Sequence, residues 1–165
     1  MKSPARRLTH IDSGTGEARM VDVSKKDVSL REAQAAAAVV ISADAFAAAA
    51  GGDLPKGDLL SVVRLAGVMA AKRTHELVPM CHPLRLTGIE VEAVLDPSLP
   101  GISLKSRVRC VERTGAEMEA LTACAVAGLA AIDMVKAIDP WAHVEGLRVL
   151  SKKGGRSGTR RRRDS

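Results

Sequence analysis

The chain has 165 residues, of which 46% are hydrophobic and only 1% aromatic, and its formal net charge is +6. This length is enough for one domain with a hydrophobic core and too short for two. Four of the six excess positive charges come from the arginine run at 160–163. Because the rest of the chain is only mildly basic, the composition does not indicate a nucleic-acid-binding surface over the whole domain.

Neither a membrane span nor a secretory signal is expected. Charged residues interrupt the apolar stretches before they reach the roughly 20 residues that a bilayer span requires. The N-terminal segment MKSPARRLTHIDSG is basic but has no apolar region. The three cysteines have no CxxC spacing, which is typical of reduced thiols in a cytoplasmic protein. Because alanine buries little surface, a core this rich in alanine would gain from a partner subunit, and we expect an oligomer.

Three regions are predicted along the chain. Residues 1–16 and 154–165 are polar, charged and glycine-containing, which is typical of flexible ends. Residues 17–153 form the single predicted domain, and they contain neither an internal repeat nor a linker.

The first half of this domain contains one clear helix pair. Residues 18–24 alternate in polarity and predict a short strand. Residues 32–42 stay ambiguous, since their alanines favour a helix and their Val-Val-Ile run favours a strand. Ser42 predicts the start of a short helix that ends at Gly51-Gly52. The Gly57-Asp58 pair then opens a helix of about sixteen residues, whose apolar side chains on nearly all sides predict that it is buried.

The second half combines a strand pair, a long helix and a last strand. Prolines at 79 and 83 predict a loop between them. Residues 89–95 and 102–111 alternate cleanly and predict an antiparallel pair. A long helix at 114–138 and a strand at 144–150 complete the domain. This order predicts an α+β fold with helices on one face of an antiparallel sheet.

The end of the long predicted helix carries a charged pair. Its apolar stripe at 118, 121, 125, 129 and 132 leads to Lys136, and Asp133 lies three residues earlier on the same side. A cation at the end of an apolar stripe is costly to bury unless it is paired or functional. The residues alone leave two interpretations open, an ion pair at the rim of the core or a functional pair.

Other candidate residues also have structural explanations. Thr114 and Glu117 have the spacing of a capping box, which favours a capping role for Glu117, and Glu119 is compatible with a solvated helix face. Lys56 precedes a helix start, where an anion is favoured, but a lone lysine at such a position is usually a solvated charge. The Met-Cys-His segment at 80–82 does not indicate a metal site or a nucleophile pair, because neighbouring Cys and His side chains usually diverge.

Six sequence blocks stand out when the chain is considered as a whole: LTHID, ARMVDVSKK, KGDLL, RLAGVMAAKRTHELVPMCHPLRL, RTGAEMEALTACAVAGLAAIDMVKA and SKKGGRSG. Together they resemble the MoaC-type cyclic pyranopterin monophosphate synthases, in that family's order, from about Leu8 to Gly158. The strings MCHPL and RTGAEMEALTA are long and distinctive. The sequence departs from the family at Ile132, where an aromatic residue is frequent, and at Arg156, where lysine is frequent.

The resemblance implies a ferredoxin-like α+β subunit that assembles as a homohexamer, a trimer of dimers, with sites between subunits. It implies a lyase that converts 3′,8-cyclo-7,8-dihydro-GTP to cyclic pyranopterin monophosphate and releases pyrophosphate, in molybdenum cofactor biosynthesis. A radical-SAM GTP cyclase would supply this small-molecule substrate. No metal or other cofactor is expected, since no hydride, electron or acyl group is transferred, and neither a nucleic acid nor a membrane is an expected partner.

The resemblance also implies residue roles. Asp133 and Lys136 match the family's catalytic pair, with Lys136 as general acid/base and Asp133 orienting it and shuttling protons. The positions implied to bind substrate are Lys26, Arg31, Lys56, Met80, Cys81, His82, Glu117, Met118, Glu119 and Lys152. A lysine beside an aspartate can be tuned for proton transfer, and cations of this set would stabilise the departing pyrophosphate.

Two alternatives remain. The chain would be a non-catalytic pterin- or nucleotide-binding module if it kept the pocket without turnover. An RNA- or DNA-binding protein that acts through the arginine tail is the other alternative, and it predicts strongly salt-dependent binding that is lost on truncation at Gly158.

Overall fold

The computed structural model describes residues 15–156 and 158–163. The elements in chain order are β1 (Ser29–Val40), α1 (Ala43–Gly51), α2 (Leu59–Lys72), α3 (Thr74–Leu77), β2 (Leu86–Asp96), β3 (Gly101–Glu112), α4 (Glu117–Val135), β4 (His143–Lys153) and β5 (Arg160–Arg161). The strands form one antiparallel sheet in the order β2-β3-β1-β4-β5.

The connectivity is that of a ferredoxin-like fold. Helical segments follow β1 and β3, and the order β2-β3-β1-β4 places β1 between two strands that are distant from it in sequence. The prediction of an α+β fold with helices on one face of an antiparallel sheet is therefore confirmed. The predicted hairpin is β2 and β3, and the predicted last strand is β4.

The ambiguous alanine-rich segment is the strand β1, paired on both edges, with β3 and with β4. Ala33, Ala35, Ala37 and Val39 alternate with the other residues of the strand and are almost fully buried. Small side chains in the centre of the sheet let the helical layer approach closely. The position between two strands, which no local pattern reveals, overrides the helix preference of alanine.

The core helix α4 packs through its small residues. Ala120, Ala123, Cys124, Ala127 and Ala131 are fully buried. A Cβ at Gly67 of α2 would lie 3.0 Å from the carbonyl oxygen of Ala123, so glycine allows the two helices to touch. Small facing residues therefore let α2 and α4 form one helical layer that packs closely on the sheet.

The predicted apolar stripe on this helix is not its buried face. Met118 and Leu129 are 38% and 60% exposed, because the larger side chains point away from the sheet while the alanines face it. The helix also begins at Glu117 and ends at Val135, three residues inside each predicted end. By length and composition α4 could cross a membrane, but its alanine face is buried against the rest of the domain, as in the core helix of a soluble fold.

Two other predictions are wrong. The helix α2 buries only one side, and Val62, Leu65 and Met69 on its other side are 40–61% exposed, because α4 and β2 cover a single face. Residues 18–24 form no strand beyond a single bridge residue at Ala18. The Asp22 carboxylate accepts a hydrogen bond from the Ser24 N–H at 2.8 Å, and this local turn ends the extended segment.

The structure also shows the predicted ends of α1 and α2 and part of the basic tail. Ser42 caps α1 and Gly52 ends it in the left-handed conformation, while Asp58 caps α2, as predicted. Residues 1–14 lie outside the described residues. In the predicted basic tail, Arg160–Arg161 pairs with Ser151 and Lys152 of β4.

Candidate active site

At the C-terminal end of α4, Asp133 lies between two lysines. Its Oδ1 is 2.7 Å from Lys136 Nζ, and its Oδ2 is 2.5 Å from Lys56 Nζ. Lys56 Nζ also donates to the Asp133 backbone carbonyl at 2.9 Å. Lys56 is thus part of this cluster, which we call the Lys-Asp-Lys cluster.

Local structure places each member. Asp133 lies in the last turn of α4, and Lys136 is its C-cap residue, where the helix dipole favours a cation. Lys56 lies in the turn before α2, whose first N–H groups are capped by Asp58. The pairing of Lys56 with Asp133 joins residues 77 positions apart, which no local sequence pattern indicates.

The two lysines determine the charge of the carboxylate. Hydrogen bonds from Lys136 and then from Lys56 lower the pKa of Asp133 to about 2. The carboxylate therefore stays ionised at any physiological pH. It can orient and stabilise two ammonium groups, and it is a weak proton acceptor.

At the N-terminal end of α4, Glu117 forms an ion pair across to the sheet. Its Oε1 is 2.7 Å from Lys152 Nζ on β4. The capping-box prediction for Thr114 and Glu117 is wrong, since Ala116 is the N-cap residue and no side chain caps this helix. The carboxylate lies against Gly115, where an added Cβ would be 1.9 Å from Glu117 Oε2, and its charge is paired with Lys152.

Glu119 lies in the first turn of the same helix and is buried, with 4% of its surface exposed. Burial, together with a smaller contribution from the charge of Glu117, raises the pKa of Glu119 to about 7. The solvated-face interpretation of Glu119 is therefore wrong. Burial, and then the charge of Glu119, also raise the pKa of the Cys81 thiol, so Cys81 is a neutral thiol at neutral pH.

A groove of about 840 Å³ opens beside Glu117 and Lys152. Seven basic and four acidic side chains line it, which leaves an excess of positive charge suited to an anionic ligand. The basic residues are Lys25, Lys26, Arg31, Arg113, Lys152, Lys153 and Arg156, and the acidic ones are Asp22, Asp27, Glu32 and Glu117.

Arg31 is held at the bottom of this groove by backbone groups. Its guanidinium donates to the carbonyl oxygens of Glu112 and Arg113, both at 3.3 Å. Gly155 lies against it with a φ of +67°, and a Cβ there would be 1.9 Å from Arg31 Nη1. Only glycine fits this approach, which gives the Gly-Gly pair of the sequence a structural reason.

Arg113 is a further residue of the groove that the sequence did not identify. Its Nη1 donates to the carbonyl of Ser24 at 2.8 Å and also to that of Lys26. These bonds fix the loop that carries Lys26, and a basic residue in a loop after a strand gives no sequence signal of this role.

The remaining predicted residues lie near the groove or in the loop after α3. His82 is half-buried, and it makes a small contribution to the lowered pKa of Asp22, which is mainly set by hydrogen bonds from Ser24. Met80 is half-buried and Met118 is exposed, and neither lines the groove. Among residues 15–156 and 158–163, no three His, Cys, Asp or Glu side chains are grouped as a metal site requires.

The Lys-Asp-Lys cluster and the groove lie at opposite ends of α4. Sixteen residues separate Glu117 from Asp133, which at 1.5 Å per residue corresponds to about 24 Å along the helix. One chain therefore does not bring these two groups of predicted residues into a single site.

The fold and these two charged regions define a ferredoxin-like α+β protein with a basic groove for an anionic small molecule. The chain belongs to the MoaC family, whose profile matches residues 20–155. It is 52% identical to a cyclic pyranopterin monophosphate synthase of Methylobacterium sp. (strain 4-46), over 92% of this chain and 94% of the relative. Synthases of the same name from Nocardioides sp. and Streptomyces griseus are 49% and 50% identical, covering 96% and 97% of this chain and 97% and 89% of the relatives.

Proposed function

We propose that this chain is a cyclic pyranopterin monophosphate synthase. In this reaction 3′,8-cyclo-7,8-dihydro-GTP is converted to cyclic pyranopterin monophosphate and pyrophosphate leaves, a lyase step of molybdenum cofactor biosynthesis. Family membership with about 50% identity over nearly the whole chain carries this proposal. The Lys-Asp-Lys cluster and the basic groove are of the chemical type that such a reaction needs.

In the proposed mechanism Lys136 moves protons on and off the rearranging ring system, and Asp133 orients it. The ion pair of 2.7 Å supports the orienting role. The low pKa of Asp133 makes it a weak base, so the geometry supports orientation rather than proton shuttling by this residue. Lys56 holds the second carboxylate oxygen and supplies a further cation near the reacting groups.

The groove is the proposed binding region for the phosphates. Arg31, Lys26 and Lys152 provide positive charge there, and Glu117 positions Lys152. Glu119 lies at this end of the helix, and Cys81 and His82 lie in the loop after α3. The partly protonated carboxyl group of Glu119 and the neutral thiol of Cys81 are proposed to donate hydrogen bonds to the purine-derived ring. Met80 and Met118 would contact the ring system through apolar surface.

The active site is proposed to form between two copies of the chain, within a homohexamer built as a trimer of dimers. The separation of about 24 Å along α4 supports this arrangement, since the Lys-Asp-Lys cluster of one copy can meet the groove of another. Apolar residues on the outer side of α2 and α4 also support it, because Leu65 and Leu129 are about 60% exposed in one chain. A cytoplasmic location and supply of the substrate by a radical-SAM GTP cyclase complete the proposal.

A direct test supplies the cyclised GTP intermediate and measures pyrophosphate and pterin product together. We expect equal amounts of both, and a loss of turnover of roughly 10²- to 10⁴-fold in Lys136→Ala. Lys72→Ala is the matched control, since it removes an exposed lysine from the end of another helix. Binding of the intermediate without pyrophosphate release by the wild type would instead identify a non-catalytic binding module.

A further inference from the structure

The arginine-rich tail returns to the sheet beside the groove. Arg160 pairs with Lys152 and Arg161 with Ser151, and the Arg162 N–H donates to the Leu150 carbonyl at 2.7 Å. The family profile ends at residue 155, so β5 lies outside the matched range. The tail therefore adds a strand whose function the family assignment does not explain.

The register of β5 determines which arginine shares a face of the sheet with Lys152. Lys152 lies opposite Ala33, whose side chain is buried on the helix-covered face, and Lys152 Nζ reaches Glu117 on α4. Residues directly opposite in an antiparallel pair point to the same face, with Cβ atoms about 4.5–5.5 Å apart. Arg160 therefore stands beside Lys152 on the helix-covered face, where Lys152 and Glu117 line the groove, and Arg161 points to the opposite face.

The positive charge at this rim is not fully neutralised by the residues that the structure describes. Among the described residues no carboxylate lies within ion-pair distance of Lys153, Arg156 or Arg160, whereas Lys152 is paired with Glu117. The guanidinium of an arginine presents a planar set of donors that matches two phosphate oxygens at once. A phosphate group at this end of the groove would supply the missing negative charge.

We propose that Arg160 is a further phosphate-binding residue of the groove, and that its ligand is the diphosphate portion of the substrate and the pyrophosphate released from it. The identity of this ligand rests on the proposed function. A nucleic acid would engage the four exposed arginines at 160–163 without regard to their alternation. The register instead distinguishes Arg160 from its neighbour, and this difference makes the proposal testable.

The test compares Arg160→Ala with Arg161→Ala in the full-length protein, and the probe is inorganic pyrophosphate followed by calorimetry. We expect the Kd for pyrophosphate to rise on the order of tenfold in Arg160→Ala, through loss of a charge-assisted hydrogen bond. Arg161→Ala removes the same charge from the same strand on the opposite face, and its Kd should stay within about twofold of wild type. Arg160→Lys should fall between Arg160→Ala and wild type.

Equal weakening in both alanine variants would overturn the proposal, since it would indicate diffuse attraction by the tail. An unchanged Kd in Arg160→Ala, or a wild type that does not bind pyrophosphate, would overturn it too. The kcat/KM for the cyclised nucleotide should fall by the same factor as the affinity. If the wild type binds pyrophosphate but does not turn over this nucleotide, the proposed function fails, and the Arg160–Arg161 comparison still decides the role of the tail.

Discussion

The two ends of α4 carry carboxyl groups in opposite environments. Asp133 is exposed and hydrogen-bonded to two lysines, which lower its pKa to about 2. Glu119 is buried beside another carboxylate, and its pKa is raised to about 7. One helix therefore presents a permanent anion at one end and, near neutral pH, a partly neutral acid at the other, because environment rather than residue type determines the protonation state.

This difference suits the two ends of α4 to different chemical tasks. The C-terminal end holds ammonium groups in place, which suits proton transfer and charge stabilisation. The N-terminal end joins a basic groove to groups that can donate hydrogen bonds while uncharged. Since about 24 Å of helix separates them, the two functions operate on one substrate only if two copies of the chain come together.

The largest expected effect is the recovery of activity by mixing two inactive variants. Lys136→Ala damages the C-terminal end and His82→Ala damages the groove end. If the site forms between copies, co-expression of both variants places intact His82 and intact Lys136 in one site. In an isologous pair, one of the two sites of each mixed pair has this composition, so about half of the sites in the purified mixed pairs are intact.

Pyrophosphate release by the doubly tagged, co-purified assembly measures this recovery. Each variant mixed with a second copy of itself, carrying the other tag, is the control and should remain inactive. Activity no higher than that of the two parents would show that each chain contains its own complete site, and the division between the ends of α4 would then have no functional meaning.

Substitution of the permanent anion has the next largest effect. Asp133→Asn keeps the size of the side chain but loses the charge that holds two lysines, so the ammonium groups shift from their positions. We expect kcat to fall roughly 10²-fold. Asp53→Asn, an exposed carboxylate between α1 and α2, is the control. An unchanged kcat in Asp133→Asn would mean that Lys56 and Lys136 do not need this partner.

How far the sequence determines these features depends on the range of the interaction. The Ser42 cap, the Gly52 terminus of α1 and the β2–β3 hairpin were predicted correctly, since each depends on neighbouring residues. The β1 strand could not be predicted, because its alanines favour a helix until two other strands enclose them. Local propensity was therefore enough to predict the helix ends and the hairpin, but not the central strand β1.

The candidate site follows the same rule. Lys136 and Asp133 were identified as a pair because they are three residues apart on one helix. The contact of Lys56 with Asp133 spans 77 residues, and that of Lys152 with Glu117 spans 35, so neither leaves a local pattern. Glu117 pairs with Lys152 instead of forming the capping box with Thr114 that the sequence predicted. The resemblance to a family named these residues as a set, but not their contacts.

Glu119 gives a smaller effect that depends on pH. Its folded-state pKa of about 7 lies above the ordinary 4.5, so the folded protein binds more protons than the unfolded chain between these values. The contribution of Glu119 to stability is therefore greatest below pH 4.5, falls as the pH rises to about 7, and is constant above it. The loss corresponds to about 3 kcal/mol.

Denaturant unfolding at pH 4.5 and pH 8 tests this, at one fixed protein concentration since assembly also affects stability. Glu119→Gln cannot ionise, so relative to wild type it should gain about 3 kcal/mol between the two pH values. Glu92→Gln, at an exposed position of β2, should show no such gain. Parallel pH profiles for Glu119→Gln and wild type would mean that Glu119 is not held uncharged at neutral pH.

The smallest expected effect is on the stability contributed by the Glu117–Lys152 pair. The two side chains are 26% and 41% exposed, so solvent screens their attraction, and Glu117→Gln should lower the free energy of unfolding by less than about 1 kcal/mol. Because no side chain caps α4, the amide also has no capping role to preserve. A reduced affinity for pyrophosphate with nearly unchanged stability would assign Glu117 to positioning Lys152 in the groove. A stability loss of several kcal/mol with unchanged affinity would instead make the pair a structural link between α4 and β4.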